Sequence, residues 1–303
     1  MAMNCVVCVK QVPDTKRITG EAMKEDGTVN RAALPAIFNP EDLNALEAAL
    51  EIRDRCGAAV AVVTMGPVSA CDVLRAALFM GADNVVLLTD RRAAASDTLA
   101  TSHILSCAVR KMSPDVVLCG RQAIDGDTAQ VGPQLAEKLS LPLVTYVEEL
   151  IDVAAEGLRA RRNVGNGWEV VQCKLPALLT VMGSANTPRP PAARRIMKYK
   201  KARSPAEVAG EVDRAIPDAS DEQKAAEQAR RLEALEQRGL LIKQWDLDDV
   251  EADLNWCGRG GSPTKVHRIQ SVVLAGGEYH EFPPTDAGLA ELVGELIEDH
   301  TIG

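Results

Sequence analysis

The sequence predicts an α/β protein with a doubly wound, mostly parallel sheet, added antiparallel strands and a C-terminal arm. Short valine-rich runs alternate with stretches of helical spacing before Pro142. A connection between parallel strands is right-handed and buries one stripe of its helix, so this alternation indicates helices on both faces of a parallel sheet. A glycine-punctuated loop, Gly120–Gly132, follows the fourth run. After Pro142 the helical stretches give way to strand patterns.

The first half of the chain contains the elements of this sheet in order. Asn39-Pro40, followed by two acids, is typical of a helix start, and Gly57 and Gly81 are typical of helix ends. An Asp-Gly turn signal indicates a short hairpin at Met23–Val29. Strands are predicted at Asn4–Val9, Ala58–Met65, Asn84–Leu88 and Asp115–Cys119, and helices at Asn39–Arg55, Ser69–Met80 and Ser96–Met112.

The strand patterns after Pro142 are separated by glycine-containing turns. We therefore expect them to pair antiparallel and to extend the sheet. These strands are predicted at Leu143–Val153, Leu158–Asn163, Trp168–Gln172 and Leu178–Val181.

We expect the chain to divide into an α/β domain, residues 1–190, and an appendage, residues 191–303. The appendage opens with the basic stretch Arg194–Arg203, for which a solvated helix and a docking surface are the two interpretations. A tail of this composition cannot bury much core by itself, so we expect it to wrap another subunit. Its further elements are predicted as an exposed helix at Asp221–Gly239, a strand at Ile269–Leu274 and an amphipathic helix at Asp286–Ile297.

Composition excludes several classes of protein. A formal charge of −9 and an aromatic content of 3% argue against nucleic-acid binding. No apolar run approaches the roughly 20 residues of a membrane span, and the N-terminus has no signal-peptide pattern, so we expect a cytoplasmic protein that is not integral to a membrane. The eight cysteines are interpreted as buried structural thiols, and the four histidines have neither zinc-site nor catalytic-triad spacing.

The loop after the fourth predicted strand has the features of an anion-binding site. Its three glycines let backbone approach a ligand closely, and the amides and dipole of the following helix attract anionic oxygens. Asp125 and Asp127 would repel a diphosphate unless they cap loop amides, bind ribose hydroxyls or hold a cation. A second interpretation makes Asp127 or Thr128 simply the N-cap of that helix.

Other predicted strand ends converge on the same place. In a doubly wound sheet, ligands lie at the carboxyl ends of the strands, near the reversal of strand order. The ends at Cys8–Lys10 and Thr64–Gly66, and the helix start at Asn39, should therefore border one crevice together with the loop.

Several ordered blocks make the chain similar to the beta subunits of electron-transfer flavoproteins. The resemblance covers nearly the whole chain and implies a Rossmann-like, adenine-nucleotide-binding fold and a heterodimer with an alpha subunit that carries FAD. The blocks are Cys8–Val12, Asn39-Pro40, Thr64–Pro67, Gly120–Pro133, Lys174–Thr180, Asn186–Arg189, Ile196–Lys198 and Gly261–Val266.

The loop departs from the pattern of the common members, in which the beta subunit holds AMP. Gly126 replaces an acid, and Ala129–Val131 stands where Asn-Gln-Thr would contact phosphate. The loop instead resembles the electron-bifurcating branch, whose beta subunit binds a second FAD. Losing an acid and side-chain bulk is compatible with a longer diphosphate ligand.

The resemblance implies that the beta-subunit FAD takes hydride from NADH and splits the electrons. One electron would pass to the alpha-subunit FAD and an acyl-CoA dehydrogenase-type or related partner, and the other to ferredoxin or flavodoxin. Arg121 is the candidate to stabilise an anionic flavin ring. The cofactor-binding residues are assigned as Cys8, Val9, Lys10, Asn39, Thr64, Gly66, Gly120, Arg121, Asp125, Gly126, Asp127, Thr128, Ala129, Gln130, Val131 and Gly132, with no catalytic or metal-binding residue.

The sequence leaves three alternatives open. The first is a non-bifurcating beta subunit that binds AMP structurally, and the second is a nucleotide-binding regulatory protein resembling universal stress proteins. The third is a structural subunit with a vestigial site. The segment at 191–195 lacks the apolar anchor of the family's recognition loop, and residues 203–240 resemble an insertion, which we expect to lie on the surface and to contact a partner.

Overall fold

The computed structural model describes residues 3–14, 35–154, 156–265 and 281–298. Its strands are β1 (Asn4–Cys8), β2 (Gln11–Pro13), β3 (Ala36–Phe38), β4 (Ala59–Met65), β5 (Asn84–Leu88), β6 (Val116–Gly120), β7 (Leu143–Ala154), β8 (Gly157–Asn163), β9 (Trp168–Lys174), β10 (Ala177–Val181) and β11 (Lys243–Trp245). Its α-helices are α1 (Pro40–Cys56), α2 (Cys71–Met80), α3 (Thr98–Met112), α4 (Val131–Leu139), α5 (Ala193–Tyr199), α6 (Pro205–Ala215), α7 (Asp221–Gln237), α8 (Gly258–Gly261) and α9 (Asp286–Glu298).

Nine of these strands form one sheet in the order β11-β5-β4-β1-β6-β10-β7-β8-β9. The strands from β11 to β7 are parallel, whereas β7–β8 and β8–β9 pair antiparallel. The chain runs from β1 outward through β4 and β5, and then returns to place β6 on the other side of β1. The strand order therefore reverses between β1 and β6, whose carboxyl ends border the crevice where such sheets bind ligands.

Helices cover both faces of the sheet, as a doubly wound fold requires. On one face, Leu46 and Leu50 of α1 and Leu74 of α2 are fully buried in one apolar cluster. On the other, Ile104 of α3 and Leu135 of α4 are fully buried in a second cluster. Each such leucine or isoleucine contributes about 1.5–3 kcal/mol when it leaves water. The predicted fold class is confirmed, and the predicted strands and helices of the first half agree with the structure within two residues.

One strand assignment was wrong. The run at Leu178–Val181 is not antiparallel: it belongs to β10, a parallel strand between β6 and β7, in which Leu178 pairs with both Val117 and Leu143. β10 is buried along its whole length. A strand pattern of this kind indicates burial on two faces, but it does not say which strand lies beside it. The antiparallel pairing of β8 and β9 is confirmed.

Some features lie outside the sequence predictions. The edge strand β11 adds part of the appendage to the main sheet, beside β5. Cys56 is exposed and Cys173 is only half-buried, although the cysteines were expected to be buried, because Cys56 ends α1 and Cys173 lies in the edge strand β9. The predicted hairpin at Met23–Val29 and strand at Ile269–Leu274 fall outside the described residues.

Two antiparallel helices, α6 and α7, form the insertion. α7 buries none of its residues, which confirms the prediction of an exposed helix, and α6 buries only Val208 and Val212. The two ends of the insertion meet, since Arg203 N donates to Leu240 O at 3.0 Å and Ile242 N donates to Arg203 O at 2.8 Å. The insertion therefore leaves and rejoins the fold at one point.

The last described helix, α9, has an uncovered apolar stripe. Leu289, Val293 and Ile297 follow each other at intervals of one helical turn and are 56%, 46% and 52% exposed. Within the part of the chain that the structure describes, no helix has the length and apolar character needed to cross a membrane.

Candidate functional site

The first turn of α1 holds the loop that follows β6. The buried Asn39 side chain donates from Nδ2 to Gln122 O at 2.8 Å and accepts at Oδ1 from Ile124 N at 3.1 Å. Its backbone N–H donates to Lys10 O at 3.0 Å. Asn39 therefore ties the loop after β6 to the segment after β1.

Glu41, in the first turn of α1, holds the same loop. One of its carboxylate oxygens accepts from Gln122 N at 2.9 Å, and the other lies 3.0 Å from Arg121 Nη2. The Arg121 guanidinium also lies 5.9 Å from the centre of the Tyr146 ring. The structure thus places Arg121 at the site, but in an ion pair, and its role toward a flavin ring stays a prediction.

Tyr146 was missed by the sequence analysis. Its φ is 56°, a conformation that is rare for an aromatic residue, and it lies where β7 shifts register against β10. Its ring is partly exposed beside Arg121. In a chain with 3% aromatic residues, an aromatic residue seven positions beyond the loop's helix was the available signal.

Lys10 and Asp125 form an ion pair across the crevice. Lys10 Nζ lies 2.7 and 2.8 Å from the two carboxylate oxygens of Asp125. This contact offsets the charge that Asp125 would otherwise present to a diphosphate. The other loop carboxylate, Asp127, accepts from Gln122 Nε2 at 2.8 Å.

The backbone of the loop is strained next to the start of α4. Asp127 and Ala129 have φ values of 47° and 52°, in the left-handed region that non-glycine residues rarely adopt. The N-cap of α4 is Gln130, and it makes no side-chain capping bond. The interpretation of Asp127 or Thr128 as the N-cap was therefore wrong, because the strained turn delays the helix to Val131.

The three glycines of the loop differ in the space that surrounds them. A Cβ on Gly120 would lie 2.5 Å from Asp42 Oδ1, and one on Gly132 would lie 2.7 Å from Thr180 Cγ2. These two positions make room for protein groups. A Cβ on Gly126 would have nothing within 4 Å, so Gly126 alone faces open space.

Thr64, at the carboxyl end of β4, carries an unpartnered hydroxyl. Its residue is 1% exposed, and within the described ranges its Oγ1 has no hydrogen-bond partner. A buried hydroxyl without a partner is unfavourable by about 1–3 kcal/mol, so the position suits a ligand that supplies one. Its neighbour in the site, Gly66, donates its amide to Leu88 O at 3.0 Å.

Of the remaining predicted residues, Cys8 and Val9 are buried at the end of β1. Burial raises the pKa of Cys8 to about 12 and that of Cys119 well above its ordinary value, so both thiols stay protonated. Val9 N donates to Val63 O at 2.9 Å, and Gln130 Oε1 accepts from Thr98 Oγ1 at 2.9 Å. The donors and acceptors of this crevice suit a phosphorylated nucleotide. Among the described residues, no three His, Cys, Asp or Glu side chains gather as metal ligands.

Fold and site together define the class: a doubly wound α/β protein whose loops converge at the strand-order switch point, where proteins of this class bind nucleotides. The chain matches the electron transfer flavoprotein domain over residues 26–209, more than half of its length. It therefore belongs to the electron transfer flavoprotein family.

Its relatives are beta subunits and related electron-transfer components. The beta subunit of Clostridium acetobutylicum is 41% identical over 301 residues, which cover 99% of this chain and 100% of that protein. A subunit of the caffeyl-CoA reductase-Etf complex of Acetobacterium woodii is 39% identical over 99% of this chain and 100% of its own. The acryloyl-CoA reductase electron transfer subunit gamma of Anaerotignum propionicum is 46% identical over 62% of this chain and 70% of its own.

The buried carboxyl of Asp42 in α1 gives a testable pH dependence. Burial raises its pKa from 3.8 to about 7, although hydrogen bonds from Asn39, Lys10 and Gly120 act in the opposite direction. The folded state therefore binds this proton more tightly than the unfolded chain does. Its stabilising contribution is complete below the unfolded pKa and is lost as the pH rises to about 7.

We expect the free energy of unfolding of the wild type, relative to Asp42→Asn, to fall between about pH 4 and pH 7. The slope should approach about 1.4 kcal/mol per pH unit, the limit for one proton. Denaturant titrations of both purified proteins at several pH values measure this difference. Parallel pH profiles for the two proteins would contradict the expectation.

Proposed function

We propose that this chain is the beta subunit of an electron-bifurcating electron transfer flavoprotein, and that it binds FAD at the switch-point crevice. The observation that supports this most is that Lys10 pairs with Asp125 while Asn39 holds the same loop at Gln122 and Ile124. The unpartnered Thr64 hydroxyl, at the carboxyl end of the neighbouring strand β4, adds to this support. When bound, FAD would supply hydride acceptance from NADH and one-electron transfer. The chain's own residues would bind and orient that cofactor.

Different residues of the loop would contact different parts of the ligand. The Lys10–Asp125 pair limits repulsion of the diphosphate, and Asp125 would also accept from ribose hydroxyls. Gly126 leaves open space where the common members of the family carry an acid. The uncapped first turn of α4 offers backbone amides to anionic oxygens.

The names of two relatives also favour an electron-transferring complex. One relative belongs to a caffeyl-CoA reductase complex and one serves an acryloyl-CoA reductase. We infer that this chain likewise works with an alpha subunit and an acyl-CoA dehydrogenase-type or related partner, with ferredoxin or flavodoxin as the low-potential acceptor. The alternative is a simple carrier with structurally bound AMP.

Counting nucleotides distinguishes the two functions. The chain is coexpressed with its alpha subunit, the complex is denatured, and released FAD and AMP are separated by chromatography. Two FAD and no AMP per heterodimer, with bleaching by NADH, would support bifurcation. One FAD and one AMP would support the simple carrier and would contradict the inference from Gly126 and Ala129.

Arg121 is the residue on which we expect the flavin to depend electrostatically. Its side chain is 30% exposed, and its guanidinium is held by Glu41. Arg121→Ala should make the reduction potential of the beta-subunit flavin more negative and slow its reduction by NADH, because a nearby cation stabilises an anionic ring. Arg91→Ala, a change at an exposed arginine beyond β5, is the control. Unchanged potentials in Arg121→Ala would remove this role.

The apolar stripe of α9 is the surface that we expect to bind the alpha subunit. Val293, at its centre, is 46% exposed in the chain by itself. Val293→Asp would place a charge in the interface and should weaken heterodimer formation at least tenfold. Copurification of the tagged alpha subunit measures the loss, and Glu291→Ala on the same helix is the control. Equal yields of both complexes would contradict the assignment.

A further inference from the structure

The Asp42 side chain lies between the carboxyl ends of β1 and β6. Its Oδ2 accepts from Lys10 N at 2.8 Å, and its Oδ1 accepts from Gly120 N at 3.0 Å. The two amides continue the two strands between which the strand order reverses. One buried carboxylate therefore joins both strand ends across the switch point.

Gly120 lies so close to this carboxylate that a side chain has no space there. A Cβ at Gly120 would lie 2.5 Å from Asp42 Oδ1 and 2.8 Å from the backbone of Glu41. Any side chain there would displace the carboxylate or the first turn of α1. The glycine thus allows helix and strand to approach closely enough for the hydrogen bond to form.

Both segments that Asp42 holds lead directly to the proposed ligand. Lys10, fixed through its backbone, reaches Asp125 with its ammonium group at 2.7 Å. Gly120 leads into the loop that contains Asp125. The distance between Lys10 and Asp125 therefore depends on the Asp42 carboxylate, which holds the two segments that carry these residues.

We propose that Asp42 is a positioning residue for the nucleotide-binding loop: its carboxylate sets the distance between Lys10 and Gly120, and thereby the shape of the crevice that receives the phosphates. The identity of the ligand rests on the function proposed above. The ordering of the loop by Asp42 does not, because it follows from contacts within the chain.

The chain offers a matched control for this residue. Asp115 precedes β6, and its Oδ2 accepts from Asn4 N, at the start of β1, at 2.7 Å. Asp42 and Asp115 thus each link β1 with β6 through a carboxylate, at opposite ends of the same pair of strands. Asp115→Asn removes the charge from this link, far from the crevice, while its amide oxygen can still accept from Asn4 N.

The experiment compares Asp42→Asn and Asp115→Asn, each purified with the alpha subunit and stripped of nucleotide. Hydrogen–deuterium exchange is measured by mass spectrometry for peptides covering residues 9–11 and 120–126. Dissociation constants for added AMP and added FAD are measured by calorimetry. In Asp42→Asn the new amide group can accept only at its oxygen, so one of the two links is lost.

We expect exchange at 120–126 in Asp42→Asn to accelerate about tenfold and the dissociation constant for the bound nucleotide to rise about tenfold, as for one lost hydrogen bond to a buried carboxyl group. Asp115→Asn should bind within about twofold of the wild type and should exchange faster only near Asn4. Wild-type values in Asp42→Asn would overturn the proposal. So would equal effects of both variants, or faster exchange throughout the chain, since either indicates a general structural role.

Failure of the proposed function is recognised separately. If the wild-type complex binds neither AMP nor FAD, the ligand assignment is wrong, and the exchange data from the two variants still decide whether Asp42 orders the loop.

Discussion

Replacing Asn39 with alanine is expected to lower the free energy of unfolding by up to about 6 kcal/mol, because it leaves two partly buried backbone groups without partners at about 1–3 kcal/mol each. These groups are Gln122 O and Ile124 N, both bound by the Asn39 side chain. Nucleotide affinity should fall at least tenfold, since the loop loses two of its hydrogen bonds to the start of α1 and keeps only those to Glu41 and Asp42. Denaturant titration and calorimetry with AMP and FAD measure the two effects.

Asn84→Ala is the control for this change. Asn84 is an exposed asparagine at the amino end of β5, away from the crevice. It should alter stability by no more than about 0.5 kcal/mol. If Asn39→Ala behaved in the same way, the loop would not be held through α1, and the central element of the proposed site would be lost.

Thr64→Val is expected to change stability and binding in opposite directions. Valine has the shape of threonine but lacks the hydroxyl, whose oxygen is buried without a partner. The nucleotide-free protein should become more stable by about 1 kcal/mol, whereas nucleotide should bind about tenfold more weakly because a ligand contact is gone. Thermal unfolding with and without nucleotide measures both effects: the gain in stability of the nucleotide-free protein and the smaller stabilisation by nucleotide.

Thr180→Val is the matched control for Thr64→Val. Thr180 is also a buried threonine in the sheet, but its Oγ1 accepts from Tyr146 N at 3.1 Å. Valine at this position should destabilise the protein with or without nucleotide. If both variants lost stability, Thr64 would have an ordinary structural partner and would not be a ligand contact.

The elements of the fold were predictable wherever a local signal exists. Valine-rich runs revealed the central strands, and Asn39-Pro40 with its acids revealed the start of α1. The position of β10 was not predictable, because the pattern of a buried strand does not identify its neighbours in the sheet. β11 was missed because three residues are too short for a periodic pattern.

The location of the candidate site was predictable from the sequence, but most of its contacts were not. The switch-point rule brought the loop and the strand ends together from order alone. Asp42 and Glu41 were interpreted only as acids that favour a helix start, a role that conceals their contacts to Gly120 and Gln122. Such contacts join residues about 80 positions apart, which no local pattern records.

The hydrogen bond between Arg203 and Leu240 joins the two ends of the insertion, and this suggests how the protein acquired α6 and α7. Since entry and exit are already hydrogen-bonded neighbours, lengthening the excursion between them adds little loop-closure entropy and leaves β11 in register with β5. Homologues could therefore gain, shorten or exchange this segment without refolding the sheet. The same property makes the turn between α6 and α7 a suitable point for grafting a fluorescent reporter onto the assembled flavoprotein.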